Sequence, residues 1–344
     1  MAVKSKVKIG YALGSGGARG LAHIGVLKVL EEQGIRPDVV AGTSMGAIVG
    51  ALYSGGLTPG EIEKLALGLD WKKLVNLIDV TLPISGLLKG NRVVSLLKSI
   101  IGDMTFSQLK CDFASVATNI INGEQVVLQD GSLIEAVRAS ISIPGIFTPV
   151  AIAGQYLVDG GLINTVPVSV CRDMGADYVI GINVIPRPGQ AVCNPAKEQQ
   201  YEACDILESD EAGQKSGSVK LPVTHGVSLL ARIEEMNDAI RLFVMSHRQR
   251  DDKGKLKRTL KSKSGKRPHL RSGSPRLADV LSQSLTITEY WIAAENLKGA
   301  DLAISPDVGH VGFWQFYRAA EAIAAGEQAA RLVLEKNKLT VLSG

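Results

Sequence analysis

The sequence predicts an α/β fold with a mostly parallel central sheet, and three observations carry that expectation. The first 60 residues read strand, glycine loop, helix, strand, glycine turn, helix. Short apolar runs recur further along, separated by helical patterns and turns. The composition, 45% hydrophobic and 21% charged over 344 residues, supplies a sizeable core and excludes a globally disordered chain.

Residues 7–13 are the first apolar run and the first expected strand. Leu21, Ile24, Leu27 and Leu30 follow at three-residue steps, which gives a helix with one buried face, and Gly34 stops it. Residues 38–41 read as a second strand, and after the 42–46 turn a second helix begins at Ala47. Strand, helix and strand at this spacing form a βαβ unit, hence parallel pairing with helices laid on the sheet. Further strands are expected at 113–118, 125–128, 156–158 and 178–184, and a helix at 132–139 that ends before Pro144-Gly145. Residues 70–106 are less regular. They mix Trp71, Leu74, Leu77, Ile78, Leu82, Ile84, Leu87 and Leu88 with few charges and are expected to cover a site.

From 186 to 275 the pattern degrades into Pro, Gly, Ser, Gln and charge, with one helical island at 229–243. Regular structure resumes at Arg276 and closes with an Ala-rich helix near 318–335. The organisation this predicts is one α/β domain from 1–185 and 276–344, interrupted by a polar, basic insertion at 186–275 that is expected to be largely flexible. The formal charge is +4, but residues 248–276 hold 12 Lys/Arg against two Asp, so the remainder sums to −6. This is a slightly acidic body with one basic segment, not a globally basic nucleic-acid binder. No aromatic interleaves with those Lys and Arg residues, which disfavours nucleic acid and leaves an anionic membrane surface as the better partner for 248–276.

Four cysteines (Cys111, Cys171, Cys193, Cys204) are too few for a disulfide framework, and none sits in a CxxC pair. No His lies at ligand spacing, so neither a structural metal nor any cofactor is implied. The lysine-bearing N-terminus breaks at Gly14 and reads as a strand rather than a signal peptide. No uncharged apolar run of membrane-spanning length is free of turn residues. The expectation is a cytoplasmic protein, peripheral to the membrane at most.

Three elements carry chemistry. Gly14-Ser15-Gly16-Gly17-Ala18-Arg19-Gly20 lies between the first strand and the first helix, where unpaired amides can hold negative charge. It also reads as a bare turn; a nucleotide loop is disfavoured because Ser15 takes the first glycine position of GxGxxG and no GK[ST] follows. Gly42-Thr43-Ser44-Met45-Gly46 matches GxSxG between a strand and a helix. Such a serine projects from a strained turn whose flanking glycines, here Gly42 and Gly46, admit close approach.

Asp159-Gly160-Gly161 follows the apolar 156–158 run, and alone it is a common turn. Its interest is that Ser44 needs a base. An aspartate ordinarily ionises near pH 4 and must be desolvated to serve at neutral pH. Among the histidines, His23 lies in the first helix, and His225, His247 and His269 fall in the insertion. His310, in a turn, is the serious rival, because the order Ser44, Asp159, His310 satisfies an α/β-hydrolase triad. Against that fold, too few strands fit before residue 44.

The segments SGGARGLAHIGVL, GTSMG and DGG, with Ser140-Ile141-Ser142-Ile143-Pro144-Gly145, resemble the bacterial branch of the patatin-like phospholipase family in order and spacing. The resemblance covers residue 7 to about 185 well and 276–335 more loosely. It implies a three-layer sandwich with helices on both faces of the sheet. It also implies a serine acyl hydrolase that needs no histidine, with Ser44 as nucleophile and Asp159 as proton acceptor. Gly16, Gly17 and Ala18 match the oxyanion loop, and Arg19 its organising basic residue. Ser15 departs from a strict triple glycine, and there the family asks only for a backbone amide. The implied substrates are a phospholipid, a lysophospholipid or another acyl ester. Acyl transfer to an acceptor other than water, or an inactive lipid-binding scaffold docking through the basic segment, are the alternative readings.

Overall fold

Residues 7–68, 88–189 and 277–337 are described by the structure, a computed structural model. All of them fall in the unit formed by Met1–Glu198 and Arg276–Gly344. Their eight strands make one sheet: β1 (Ile9–Leu13), β2 (Val39–Thr43), β3 (Asp112–Asn119), β4 (Gln125–Leu128), β5 (Val150–Ile152), β6 (Gln155–Asp159), β7 (Tyr178–Ile182) and β8 (Leu302–Ile304). The order is β5-β6-β3-β2-β1-β7-β8, with β4 also paired to β3. From β3 through β8 the pairing is parallel, and β4, β5 and β6 are antiparallel.

Successive strand residues feed two different cores, because side chains alternate across a sheet. Tyr11, Leu13, Val40, Phe113, Ile180 and Ile182 join one buried cluster, whereas Ala12, Val39, Ala41, Ala114 and Val179 join another. Both faces are therefore covered by helices. The first face meets α1 (Ala22–Glu32), α2 (Met45–Ser54), α3 (Pro59–Leu67) and α8 (Ala319–Asn337) through Ile24, Leu27, Val49, Ile62 and Ile323. The same cluster takes in Leu97 of α4 (Asn91–Ile101) and Leu133, Ile134 and Val137 of α5 (Leu133–Ser140). The second face, lined by small residues, meets α6 (Val168–Asp173) and α7 (Leu277–Asn296) through Val168, Val170, Cys171 and Ala293. The architecture is the expected mostly parallel α/β sandwich.

Boundaries follow local chemistry. Ser132 caps α5 by accepting from the Glu135 amide. Thr58, Pro59 and Glu61 start α3 with a capping box and a first-turn proline. The second helix begins two residues earlier than its apolar pattern, at Met45 rather than Ala47. Strands β5 and β8, three residues each, and the helices α3, α4 and α6 are additions to the elements read from sequence. The stretch read as irregular from 70 to 106 contains α4, whose Val93, Val94, Leu97, Ile100 and Ile101 form a helical stripe on the first core. Trp71, Leu74, Leu77, Ile78, Leu82, Ile84 and Leu87 lie outside the described residues, as do the island at 229–243 and the basic segment 248–276. No helix among the described residues is long and apolar enough to cross a membrane.

One feature of the register positions the site. β3 pairs with β2 up to Thr43↔Val116 and with β6 from Ala117↔Asp159 onward. β4 overlaps both pairings, at Ser115–Thr118, so it occupies the opposite edge of β3. Strands β2 and β6 therefore share an edge and meet end to end, which brings the residue after Thr43 beside Asp159.

Candidate active site

Ser44 follows β2 in a backbone conformation with φ 54° and ψ −116°, a left-handed region that side chains rarely occupy. Its neighbours explain how the turn is held. A Cβ on Gly42 would lie 2.5 Å from the Gly46 carbonyl oxygen, and one on Gly46 would strike the Leu13 carbonyl. Only glycine lets α2 start this close to β1. The Ser44 amide donates to Ser140 Oγ at 2.9 Å, and that hydroxyl donates to the Val116 carbonyl at 2.6 Å.

Ser44 and Asp159 are each 4% exposed, and Ser44 Oγ donates to Asp159 Oδ2 at 2.7 Å. The other carboxylate oxygen, Oδ1, accepts from the Gly161 amide at 2.8 Å, and the Asp159 carbonyl accepts from Thr118 Oγ1 at 2.9 Å. Burial pushes the Asp159 carboxyl up to about 6, against the opposing hydrogen bonds from Ser44 and Gly161. At neutral pH this carboxylate is ionised, in contact with a hydroxyl, and more basic than an exposed aspartate. It can accept the Ser44 proton.

The glycine loop is fixed from several sides. Gly14 and Ser15 donate their amides to the carbonyls of Ile182 and Thr165, at 3.0 and 2.9 Å. His23 is fully buried; burial lowers it to about 4, and its neutral ring donates Nε2–H to the Gly14 carbonyl at 2.8 Å. Arg19, 5% exposed, donates Nε–H to the Val311 carbonyl at 2.7 Å. Burial holds its guanidinium below the ordinary value, against the pull of the Glu289 charge.

Of the three amides expected to face an oxyanion, those of Gly16 and Gly17 have no acceptor among the described residues. The Ala18 amide donates to the Phe313 carbonyl at 2.9 Å, so it is already engaged, which corrects its place in the expected trio. Gly17 sits at φ +57°, and a Cβ there would lie 2.7 Å from the same carbonyl.

His310 is not at Ser44: its Nε2 lies 3.6 Å from Glu321 Oε2, and its carbonyl accepts from Arg318. His225, His247 and His269 lie outside the described residues. Among the described residues no three His, Cys, Asp or Glu groups are arranged to hold a metal. Sequence reading missed Ser140, the 311–313 carbonyls and Glu289, whose Oε1 accepts from Ser15 Oγ at 2.8 Å. The available signal for Glu289 was an acidic residue on the same helical face as Thr286 and Ala293, both buried.

Residues 11–172 match the family profile described as Patatin-like phospholipase. Over that stretch the chain is similar to patatin-like phospholipases. An uncharacterized NTE family protein of Mycobacterium tuberculosis is 29% identical over 341 residues, covering 96% of this chain and 92% of that one. A second such protein from the same species is 40% identical over 176 residues, 50% of this chain and 29% of the relative. Patatin-like phospholipase domain-containing protein 6 of Mus musculus is 37% identical over 183 residues, 51% of this chain and 13% of the relative. Among solved structures, VipD from Legionella pneumophila aligns with a TM-score of 0.46 at 14% identity, over 96% of this chain and 67% of that chain.

Proposed function

We propose that this patatin-like protein is a serine lipid acyl hydrolase of the phospholipase A or lysophospholipase type, working through a Ser44–Asp159 dyad. The observation that carries the reading is the 2.7 Å hydrogen bond from a strained, buried serine to a buried carboxylate, with no histidine on either group among the described residues. Ser44 Oγ attacks the ester carbonyl carbon as its proton passes to Asp159. The oxyanion is held by the Gly16 and Gly17 amides, each worth on the order of 3–4 kcal/mol in comparable sites. Collapse of the tetrahedral intermediate breaks the C–O bond to the alcohol, which takes the proton from Asp159. Water then attacks the acyl-enzyme, giving its proton to Asp159, and that proton returns to Ser44 as the fatty acid leaves.

Arg19 organises the loop from beneath, and Gly42 and Gly46 form the elbow that presents Ser44. The domain formed by 1–185 and 276–344 carries all of these groups. The basic stretch 248–276, with 12 Lys/Arg against two Asp, contributes contact with anionic headgroups, each cation worth about 1 kcal/mol near such a surface.

Fatty-acid release from phospholipid and lysophospholipid vesicles tests the proposal. Wild type releases fatty acid and Ser44→Ala does not. Deleting 248–276 lowers release from anionic vesicles while leaving neutral ones unchanged. Equal release by wild type and Ser44→Ala overturns the hydrolase reading, and an equal loss on both vesicle types overturns the headgroup contact.

A further inference from the structure

Resting on the hydrolase reading above, we propose that Glu289 is a positioning residue of that reaction. It anchors the glycine loop through Ser15 and works in its protonated form, so that Asp159 and Glu289 together carry one negative charge during attack.

Gly161 lies where oxygens of Glu289, Asp159 and Ser15 converge. The point where a Cβ on this glycine would sit lies 2.5 Å from Glu289 Oε1, 3.1 Å from Asp159 Oδ1 and 3.1 Å from Ser15 Oγ. Three oxygens from α7, the end of β6 and the glycine loop thus crowd one spot that only a hydrogen atom can occupy. Two carboxyls this close oppose each other's ionisation. Asp159 has two donors to hold its charge, the Ser44 hydroxyl and the Gly161 amide, whereas Glu289 has the Ser15 hydroxyl alone. The charge therefore goes to Asp159 first, and the proton stays on Glu289.

The charged groups facing Glu289 are Asp159, which disfavours its ionisation, and Arg19, which favours it. Burial is the larger cause raising Glu289 and the Asp159 charge adds to it, and the balance puts Glu289 at about 7, above Asp159 at about 6. Ser15 directly precedes Gly16, whose free amide faces the developing oxyanion in the proposed mechanism. An ionised Glu289 places a second negative charge beside that oxyanion and opposes it. The protonated form holds Ser15 by the same hydrogen bond without that penalty. The Ser44 proton still passes to Asp159, and the Glu289 proton is retained throughout.

The test is the pH profile of kcat/KM on a soluble ester for wild type, Glu289→Gln, Ser15→Ala and Ser44→Ala. Wild type shows an acid limb near 6 and an alkaline limb near 7. Glu289→Gln still offers Ser15 an acceptor but cannot ionise, so the alkaline limb disappears. Ser15→Ala loses the anchor and keeps the carboxyl, so it is slower by about tenfold on the plateau, with the alkaline limb retained and moved to higher pH because the Ser15 hydroxyl no longer holds the Glu289 charge. An alkaline limb in Glu289→Gln matching wild type overturns the inference, as does loss of that limb in Ser15→Ala. If Ser44→Ala is as active as wild type, the hydrolase reading itself fails; if it is inactive while Glu289→Gln follows wild type, only the role of Glu289 fails.

Discussion

Asp159 is a carboxyl whose ionisation works against the fold that makes it useful. Its folded value of about 6 lies above the ordinary 3.8, so the native state binds this proton more tightly than the unfolded chain does. The resulting stabilisation is complete below about pH 3.8 and is lost as pH rises through about 6. Above that, the wild type carries a buried charge that costs about 3 kcal/mol relative to a neutral side chain of the same shape. Asp159→Asn is therefore expected to melt about 3–6 °C higher than wild type near pH 7.5, and to show no such gain near pH 4. Thermal unfolding at the two pH values checks this, and a difference independent of pH contradicts it. Ser44 stood out in the sequence because GxSxG lies between a strand and a helix, whereas Asp159-Gly160-Gly161 alone is a common turn and Asp159 was singled out through the family resemblance. Glu289 was not, because its partner Ser15 lies 274 positions away, and no local pattern links a helix to a loop at that distance. The engagement of Ala18 by Phe313 escaped for the same reason.

Among the elements, the crossing of α1 and α8 shows which contact dominates. A Cβ on Gly25 would lie 2.7 Å from the Glu327 amide nitrogen, and one on Gly326 would strike the Ala22 carbonyl. Two glycines thus let the helix backbones touch. Lys28 adds ion pairs to Glu63 of α3 at 2.8 Å and to Glu327 of α8 at 2.5 Å, with its side chain a quarter exposed. Partly solvated pairs are worth about 1 kcal/mol or less, whereas forcing two packed backbones apart costs about 3 kcal/mol or more. Urea unfolding should then show Gly326→Val far more destabilised than Lys28→Met; equal losses would sink this ranking. Elements with a full period, such as β4 and α5, were readable within a residue or so. The three-residue β5 and β8 were not, since three residues define no alternation and their pairing comes from the neighbouring strand. Helix α4 was hidden because its apolar stripe runs on from the similarly apolar 70–88 stretch, blurring where one pattern begins.

At the scale of the molecule, β3 is the template that assembles the site. It pairs with β2 and β6 along one edge at consecutive positions, Val116 and Ala117, so two motifs 115 residues apart end face to face. The parallel half of the sheet was legible from the βαβ spacing of the first 60 residues. The antiparallel half was not, because strand direction there depends on how β6 returns to β3 rather than on its own residues. The helices complete the assembly: α5 supplies Ser140 to the Ser44 amide, and the loop after β8 supplies the Val311 and Phe313 carbonyls that hold the glycine loop. The most direct measurement is hydrolysis of a short p-nitrophenyl ester by wild type, Asp159→Asn and His310→Ala. Loss of the carboxylate is expected to lower kcat/KM by about 10³-fold or more, and loss of the imidazole to leave it within about twofold. Full activity in Asp159→Asn together with its loss in His310→Ala would contradict the dyad.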